Sequence, residues 1–413
     1  MYKLLFANSR GEFFDYPIQP VGRTGEMFVE IIDEDLIPLP ESAGLVMLPQ
    51  SHPIGINKKG DFVLLKENPY GPGPAYPVGA TLPQGYSRTL LPGYRRAGKK
   101  PLPLLGYAAV VLKDERLYVA AMQTDETVKW NPRYYSTENL PRLIDRRLEK
   151  YPQNRILRHL AHCSREYQCF TAQNIFYQRW EGGLPVSPAC NARCLGCISE
   201  QPAECCPSPQ SRLNFRPTVK EVVEVGADHL EQAADAIISF GQGCEGEPTM
   251  AADTIAQAIR HMRALTPKGT ININSNAGYT GGIEKIAAAG LDSLRVSIIS
   301  ANDQIYRAYY RPRGYTLDDV KKSIKLAKGR GVFVYLNLLT FPGLNDLPSE
   351  THRLLDFIKE TGVDLVQIRN LNIDPDYLLE KLPLPAEQPM GIGHFIAALK
   401  EEVPVGNYSK PLR

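Results

Sequence analysis

From about residue 181 onward, short apolar runs rich in β-branched residues alternate with segments that carry apolar residues at helical spacing. Strands separated by helices pair in parallel, and right-handed crossovers wind such units into a barrel or an open doubly wound sheet. In both architectures, chemistry gathers at the carboxyl ends of the strands. The predicted strands are 184–188, 236–240, 270–275, 293–299, 332–340 and 364–370. The predicted helices are 218–232, 251–265, 281–289, 316–329, 349–361 and 391–402.

The rest of the chain differs in composition and in its pattern of apolar residues, and it divides into further regions. Residues 1–100 are rich in Pro and Gly and predict a β-type N-terminal region. Residues 101–180 predict a hairpin followed by two helices, a candidate substrate or auxiliary-site module. The strand and helix units occupy 181–405, and 406–413 form a tail. The expected fold class is therefore α/β, a partial (β/α)6 barrel preceded by a smaller β-rich and helical region.

The composition limits which binding partners and which cellular compartment we expect for this protein. The 413 residues carry a net charge of only +2, which provides no global attraction to nucleic acid or to an anionic membrane. No stretch approaches the roughly 20 apolar residues that span a bilayer, and the first residues lack the apolar region of a signal peptide. We therefore expect a cytoplasmic protein with no membrane partner.

All eight cysteines lie between Cys163 and Cys244, and three of them form a compact motif. Cys190, Cys194 and Cys197 have the spacing CxxxCxxC directly after the first predicted strand. Three thiolates on one short loop can each bind one iron of a cubane cluster, which leaves the fourth iron without a protein ligand. The alternatives are a structural zinc loop completed by a neighbouring cysteine, or three reduced core cysteines.

At this loop the sequence resembles the radical S-adenosylmethionine (SAM) superfamily. The resemblance implies a partial barrel, an oxygen-sensitive 4Fe-4S cluster on the three cysteines, and SAM bound to the open iron. It also implies an external electron donor such as ferredoxin or flavodoxin, and a 5′-deoxyadenosyl radical that abstracts hydrogen from a substrate. One residue departs from the family pattern, since the position before the third cysteine is usually aromatic and here is Gly196.

The residues at the later strand ends extend this resemblance. Gly246, Glu247 and Pro248 are similar to the family's GGEP motif, which binds the amino group of SAM, although Glu245 replaces the usual first glycine. By the same resemblance, further contacts to SAM are expected from three polar residues at the ends of later strands. These are Asn276, Ser297 and Arg311.

Polar residues of the last two predicted strands are candidate substrate contacts. Gln367 and Arg369 share one face of their strand, and Asn337 belongs to the strand before it. Polar side chains inside a barrel need a ligand or each other, so a structural polar network is the alternative. The sequence singles out no catalytic residue beyond these binding candidates.

Several of the five remaining cysteines could converge near the mouth of the barrel and bind a second iron-sulfur cluster. No compact motif links them, and reduced core cysteines are the alternative. Cys244 has a further option as a donor of a hydrogen atom to a radical. The candidate auxiliary ligands are Cys163, Cys169, Cys205, Cys206 and Cys244.

The substrate is left open by these motifs. Residues 184–191 resemble the branch that contains the nitrogenase cofactor maturation protein, and other features resemble branches that act on peptides or small cofactor precursors. RNA modification is an alternative, because basic and aromatic residues interleave between Lys129 and Trp180. A second alternative is a non-enzymatic iron-sulfur or zinc-binding protein.

Overall fold

The N-terminal part of the chain forms two antiparallel sheets. In this computed structural model, residues 2–202, 205–406 and 412 are described, and the predicted tail at 407–411 and 413 lies outside them. The N-terminal strands are β1 (Lys3–Ala7), β2 (Phe13–Tyr16), β3 (Gln19–Thr24), β4 (Met27–Glu30), β5 (Leu36–Pro38), β6 (Gly44–Met47), β7 (Ser51–Ile56), β8 (Phe62–Leu64), β9 (Tyr76–Thr81), β10 (Tyr86–Arg88), β11 (Leu91–Pro92), β12 (Tyr94–Arg96), β13 (Tyr107–Lys113) and β14 (Arg116–Gln123).

The strand order places the predicted hairpin within the first of these sheets. That sheet has the order β10-β14-β13-β1-β9-β6, with β2 beside β1 and β5 beside β14. The second sheet has the order β11-β3-β7-β12, with β4 and β8 at its sides. Because β13 pairs with both β1 and β9, the predicted boundary at residue 100 falls inside one continuous β unit.

Three helices connect this β unit to the rest of the chain: α1 (Leu140–Lys150), α2 (Arg155–Glu166) and α3 (Phe170–Tyr177). The first two follow the predicted helical patterns, since α1 buries Ile144 and α2 buries Ile156, Leu160 and Cys163. Helix α3 was not predicted. All three helices pack into the same hydrophobic core as the barrel.

The second half of the chain is a sheet of six parallel strands in sequential order, covered by helices. This topology is the partial (β/α)6 barrel that the sequence predicts, so the expected fold class is confirmed. The strands are β15 (Arg179–Gly183), β16 (Ala234–Phe240), β17 (Thr270–Ser275), β18 (Ser293–Ile298), β19 (Phe333–Thr340) and β20 (Leu365–Asn370). The helices are α4 (Val219–Gln232), α5 (Ala252–Leu265), α6 (Thr280–Ala288), α7 (Asp303–Tyr310), α8 (Leu317–Gly329), α9 (Pro348–Thr361), α10 (Pro375–Lys381) and α11 (Ile392–Glu402).

The prediction for the first barrel strand was wrong. The strand is Arg179–Gly183, and the predicted segment 184–188 follows it as an irregular connection. Pro185 and Pro188 have no N–H group to donate to a strand ladder, which disfavours a strand there. The burial of the observed strand is not evident from its sequence, because the strand carries a glutamate, Glu181, that is only 2% exposed.

The N-terminal β unit closes the open side of the partial barrel. Arg88 is buried and donates from Nη2 to the carbonyl oxygen of Leu371 at 2.6 Å, and its backbone N–H donates to Asn370 Oδ1 at 2.9 Å. Arg23 pairs with Asp376 at 2.6 Å. These contacts bring the loops after β9 and β14 next to the barrel interior.

No helix within the described ranges combines the length and the apolar composition that crossing a bilayer requires.

Candidate functional site

The cysteine loop is attached to the glycine-rich loop after β16 by backbone hydrogen bonds. Gly246 N donates to Ser187 O at 2.7 Å, and Glu247 N donates to Ala189 O at 2.8 Å. A Cβ atom at residue 246 would lie 2.1 Å from Ala189 O, so only glycine permits this approach. The two loops that carry the predicted cluster and SAM motifs are therefore held side by side.

The other side of the cysteine loop is attached to the end of α7. Arg193 N donates to Tyr310 O at 2.9 Å, and Leu195 N donates to Tyr309 O at 3.0 Å. Asn191 O accepts from Arg313 N at 2.8 Å. The loop that carries the three cysteines is thus fixed between two strand-end segments that are distant in sequence.

Cys190, Cys194 and Cys197 line one cavity of about 210 Å³ at the carboxyl ends of the strands. The sequence motifs and the fold therefore converge on one place, where small-molecule sites of parallel sheets occur. Other lining residues are Gly246, Glu247, Pro248, Asn276, Ser297, Arg212, Tyr309 and Tyr310.

The donor set and spacing of the triad fit a cubane cluster. Burial raises the pKa of Cys190 and of Cys194 above the ordinary thiol value, so metal binding would offset the cost of keeping them as thiolates. The sulfurs of the triad do not all lie within 4.8 Å of one another. Wider spacing suits a cluster in which each cysteine binds its own iron.

Arg212 and Tyr309 line the cavity but were not singled out by sequence reasoning. Arg212 donates from Nη2 to Cys197 Sγ at 3.4 Å and from Nε to Ser199 Oγ at 3.2 Å. Tyr309 is fully buried against Gly196. No local motif marks either residue, because both reach the cysteine loop only through the tertiary fold.

The carboxylate of Glu247 is buried and oriented by four donors. Oε1 accepts from Ser275 Oγ at 2.6 Å, from Thr249 Oγ1 at 2.7 Å and from Thr249 N at 3.0 Å, whereas Oε2 accepts from Asn276 N at 2.9 Å. Burial raises the pKa of Glu247, and these hydrogen bonds lower it in part. A buried carboxylate at the edge of a cavity is suited to receive an ammonium group, which would offset its desolvation.

Glu245, which replaces the usual first glycine of the motif, connects the two loops. Oε2 accepts from Val186 N at 2.7 Å and from Ser187 N at 2.8 Å. Oε1 accepts from Gly241 N at 2.6 Å and from Gln242 N at 3.0 Å. The substitution therefore gives this chain a carboxylate clamp between the segment before the cysteine loop and the turn after β16.

The three remaining SAM-contact candidates differ in position. Asn276 donates from Nδ2 to Asn191 Oδ1 at 2.6 Å and lines the cluster cavity, as does Ser297. Arg311 is exposed and takes a left-handed backbone (φ 47°) that ends α7. It is not among the lining residues, so its position does not support the expected contact, and the backbone of Tyr309 and Tyr310 meets the cysteine loop instead.

A second, polar cavity of about 160 Å³ adjoins the first, and the two share Gly241, Asn274 and Ser297. Gln367 accepts from the guanidinium of Arg369 when its amide is oriented to satisfy both groups. The substrate candidates that line this cavity are Asn337, Gln367 and Arg369, together with Gln84 and Trp130 from the N-terminal unit.

The floor of the polar cavity is a buried ion pair. Arg295 Nη1 lies 2.7 Å from Glu181 Oε1, and Ser239 Oγ donates to the same oxygen at 2.6 Å. Asn272 continues the chain of hydrogen bonds to Ser239 at 3.0 Å. The alternative of a structural polar network thus describes this inner layer, whereas Asn337 and Arg369 lie above it at the cavity.

The other cysteines separate into two groups. The ligand atoms of Cys163, Cys244 and His159 all lie within 4.8 Å of one another, and Cys169 N donates to Cys163 O at 3.2 Å. Cys205 and Cys206 pair with each other instead, with sulfurs 3.7 Å apart. Of the five candidate auxiliary cysteines, the structure thus brings Cys163 and Cys244 together, whereas Cys205 and Cys206 follow the cysteine loop on a separate segment.

Several basic and aromatic residues between Lys129 and Trp180 contact other parts of the protein. Lys129 pairs with Asp235 at 2.6 Å, and Lys150 pairs with Asp228 at 2.7 Å. The guanidinium of Arg179 lies 4.4 Å from the centre of the Trp180 ring. These three basic residues therefore have partners within the protein.

Six parallel strands with three cysteines and polar side chains around one strand-end cavity define a class of protein, the (β/α)6 enzymes that hold a cluster and a small-molecule cofactor together. Residues 184–358 match the model of the radical SAM superfamily. This segment is therefore a radical SAM domain, and members of that superfamily are enzymes that use a 4Fe-4S cluster and SAM.

Among curated proteins, the chain is similar to a probable GTP 3′,8-cyclase of Methanosarcina mazei, with 29% identity over 48% of this chain and 58% of that protein. It is also similar to the ribosomal protein uS12 methylthiotransferase RimO of Syntrophus aciditrophicus, with 25% identity over 50% of this chain and 45% of that protein. The chain therefore spans about half the length of the curated relatives it matches.

Among solved structures, SuiB of Streptococcus suis bound to S-adenosylmethionine has a TM-score of 0.39 and 14% identity, covering 59% of this chain and 56% of that chain. Methylornithine synthase has a TM-score of 0.36 and 16% identity, covering 64% and 85%.

Proposed function

We propose that this chain binds a 4Fe-4S cluster through Cys190, Cys194 and Cys197 and binds SAM beside it, in order to start a radical reaction on a substrate in the adjoining cavity. The observation that carries the proposal is that the three cysteines and Glu247 line one cavity. When bound, the reduced cluster supplies the electron that cleaves SAM to a 5′-deoxyadenosyl radical, which abstracts hydrogen from the substrate.

The residues of this chain have separate tasks in binding SAM. Glu247 receives the ammonium group of the methionine part, because its carboxylate is buried, oriented and at the cavity. Gly246 allows the backbone of that loop to approach the cysteine loop. Asn276 and Ser297 provide polar contacts to the rest of SAM from the ends of β17 and β18.

Arg212 and the loop around Cys197 adjust the charge at the cluster site. The guanidinium donates to Cys197 Sγ at 3.4 Å, so it reduces the negative charge that three thiolates bring to a buried place. By the likeness to the superfamily, whose members generally need an external reductant, the electron comes from a donor of the ferredoxin or flavodoxin class.

The substrate site is the polar cavity lined by Asn337, Gln367 and Arg369. It adjoins the cluster cavity through Asn274 and Ser297, which places it within reach of a radical formed there. Of the two favoured substrate classes, a peptide and a small cofactor precursor, the mostly polar and charged lining of the cavity favours a small polar molecule. Arg369 would bind its anionic or carbonyl group.

Anaerobic reconstitution followed by a strong reductant and SAM tests the proposal. Wild-type protein should release 5′-deoxyadenosine and methionine in equal amounts, and Cys194→Ala should release neither. Cys205→Ala is the matched control, because Cys205 lies outside the cluster cavity and should leave the yield unchanged. Product formation by Cys194→Ala at the wild-type rate would refute the assignment of the triad.

A further inference from the structure

Three side chains outside the cluster cavity form a compact set of metal ligands. His159 and Cys163 lie four residues apart on α2 and therefore on one face of that helix, with Cys163 Sγ 3.6 Å from His159 Nε2. Cys244 reaches the same point from the loop after β16, and all three ligand atoms lie within 4.8 Å of one another. Within the described residues, this is the one trio of His, Cys, Asp or Glu that meets this spacing.

The spacing fits a single ion better than a second cluster. Zinc bonds of about 2.3 Å to sulfur and about 2.0 Å to nitrogen, at tetrahedral angles, separate two ligand atoms by about 3.5–3.8 Å. The 3.6 Å between Cys163 Sγ and His159 Nε2 agrees with this separation. In a cubane each cysteine binds a different iron, and its sulfurs lie further apart.

The surroundings favour a bound metal, and a fourth cysteine lies next to the trio in the fold. Cys163 and Cys244 are 1% and 4% exposed, so two polarisable sulfurs are directed at each other inside the core. Cys169 Sγ contacts Thr171 Oγ1 at 3.4 Å and is not part of the trio. Its backbone N–H donates to Cys163 O at 3.2 Å, and Cys169 lines a cavity of about 390 Å³ together with Cys244. Three cysteines and one histidine are a common set for structural zinc.

We propose that His159, Cys163, Cys244 and Cys169 bind one zinc ion that joins α2 and the start of α3 to the loop after β16. That loop continues directly into Gly246 and Glu247, so the ion stabilises the segment that receives SAM. The site is structural, since four protein ligands leave no open position for a substrate. Zinc binding at this site requires neither SAM nor the cluster.

Metal content of a full-length Cys190→Ala/Cys194→Ala/Cys197→Ala variant tests the site, because this variant lacks the proposed cluster ligands. After isolation from zinc-supplemented medium it should contain about one zinc ion per chain. Adding His159→Gln or Cys163→Ser should weaken zinc binding at least about tenfold in competition with a chromophoric chelator. Adding Cys205→Ser is the matched control and should leave the affinity unchanged, because Cys205 pairs with Cys206 elsewhere.

Wild-type holoprotein provides a second readout that does not depend on folding of the triad variant. It should contain about one zinc ion beside its iron, with an absorption edge spectrum that indicates sulfur and nitrogen ligands in a ratio of about three to one. A strong chelator should lower its unfolding temperature, and His159→Gln should abolish that shift. Absence of zinc from both preparations, or iron and sulfide retained by the triad variant in cluster amounts, would overturn the proposal.

Discussion

The hydroxyl group of Tyr309 occupies the space beside Gly196: a Cβ atom added at residue 196 would lie 2.8 Å from Tyr309 Oη. Gly196 is the position before the third cysteine of the triad, where the superfamily usually has an aromatic residue. Tyr309 also lines the cluster cavity, so an aromatic ring reaches this place from the end of α7. Gly196 thus lacks the usual aromatic side chain, and the ring of Tyr309, from the end of α7, lies next to it instead.

This packing predicts that Gly196→Ala is destabilising and that Tyr309→Phe rescues it. The new methyl group collides with the Tyr309 hydroxyl, which should lower the free energy of unfolding by about 1–3 kcal/mol. Removing that oxygen leaves Leu371 Cδ1 as the nearest atom, at 3.4 Å, an acceptable contact. Urea unfolding of the two single variants and the double variant measures the effect. Equal stability of Gly196→Ala and Gly196→Ala/Tyr309→Phe would contradict this packing.

Glu247→Gln should weaken SAM binding at least about tenfold while the iron content stays unchanged. The amide has no charge to attract an ammonium group, and its NH₂ would face either the Ser275 and Thr249 donors or the Asn276 N–H. Equilibrium dialysis with labelled SAM measures the affinity. Glu350→Gln is the matched control, because Glu350 is also buried and accepts from Asn302 at 2.9 Å, away from the cavity. Equal losses in both variants would remove the assigned role.

Glu181→Gln should destabilise the barrel by about 3–5 kcal/mol, because the guanidinium of Arg295 would lose its carboxylate inside the core. Replacing both members, in Glu181→Gln/Arg295→Met, should recover a large part of that loss, since no charge is then buried. Denaturant unfolding of the two variants measures the difference. A double variant less stable than Glu181→Gln would show that Arg295 has another essential partner.

His229 predicts how stability depends on pH. Burial lowers the pKa of His229 from 6.5 to about 4, so the folded protein binds fewer protons than the unfolded chain between these values. Its contribution is therefore complete above pH 6.5 and is lost as the pH falls toward 4, by at most about 3 kcal/mol. His229→Gln keeps a donor for Trp180 O and should remove this part of the slope. The free energies of unfolding of variant and wild type should be measured from pH 7 to 4. The same pH dependence in both proteins would contradict the prediction.

Most of the barrel could be predicted from local sequence because its helices carry their own start signals. Thr218 with Glu221 and Thr316 with Asp319 form the capping boxes that their spacing indicates. The first strand could not be predicted, because burial of Glu181 depends on Arg295, which lies on another strand. Short helix α7 was also missed, since its apolar face becomes apparent only against the cysteine loop.

The residues of the site likewise fall into those that a local motif predicts and those that only the tertiary structure places there. The cysteine triad and the Gly246 to Pro248 motif are contiguous, so the sequence indicates them directly. Arg212, Tyr309 and His159 carry no motif, and only the folded chain places them beside the cysteines. Residues that act through tertiary contacts need the fold before they can be assigned.

If the three thiolates leave one iron open, SAM binds there beside Glu247. Electron-nuclear double resonance of the reduced, reconstituted protein with SAM labelled by ¹⁵N at its amino group tests this most directly. We expect a hyperfine coupling between the cluster and the labelled nitrogen, and we expect Cys194→Ala to lose it. A fully protein-ligated cluster that shows no coupling to the label, or a protein that binds no iron at the triad, would contradict it.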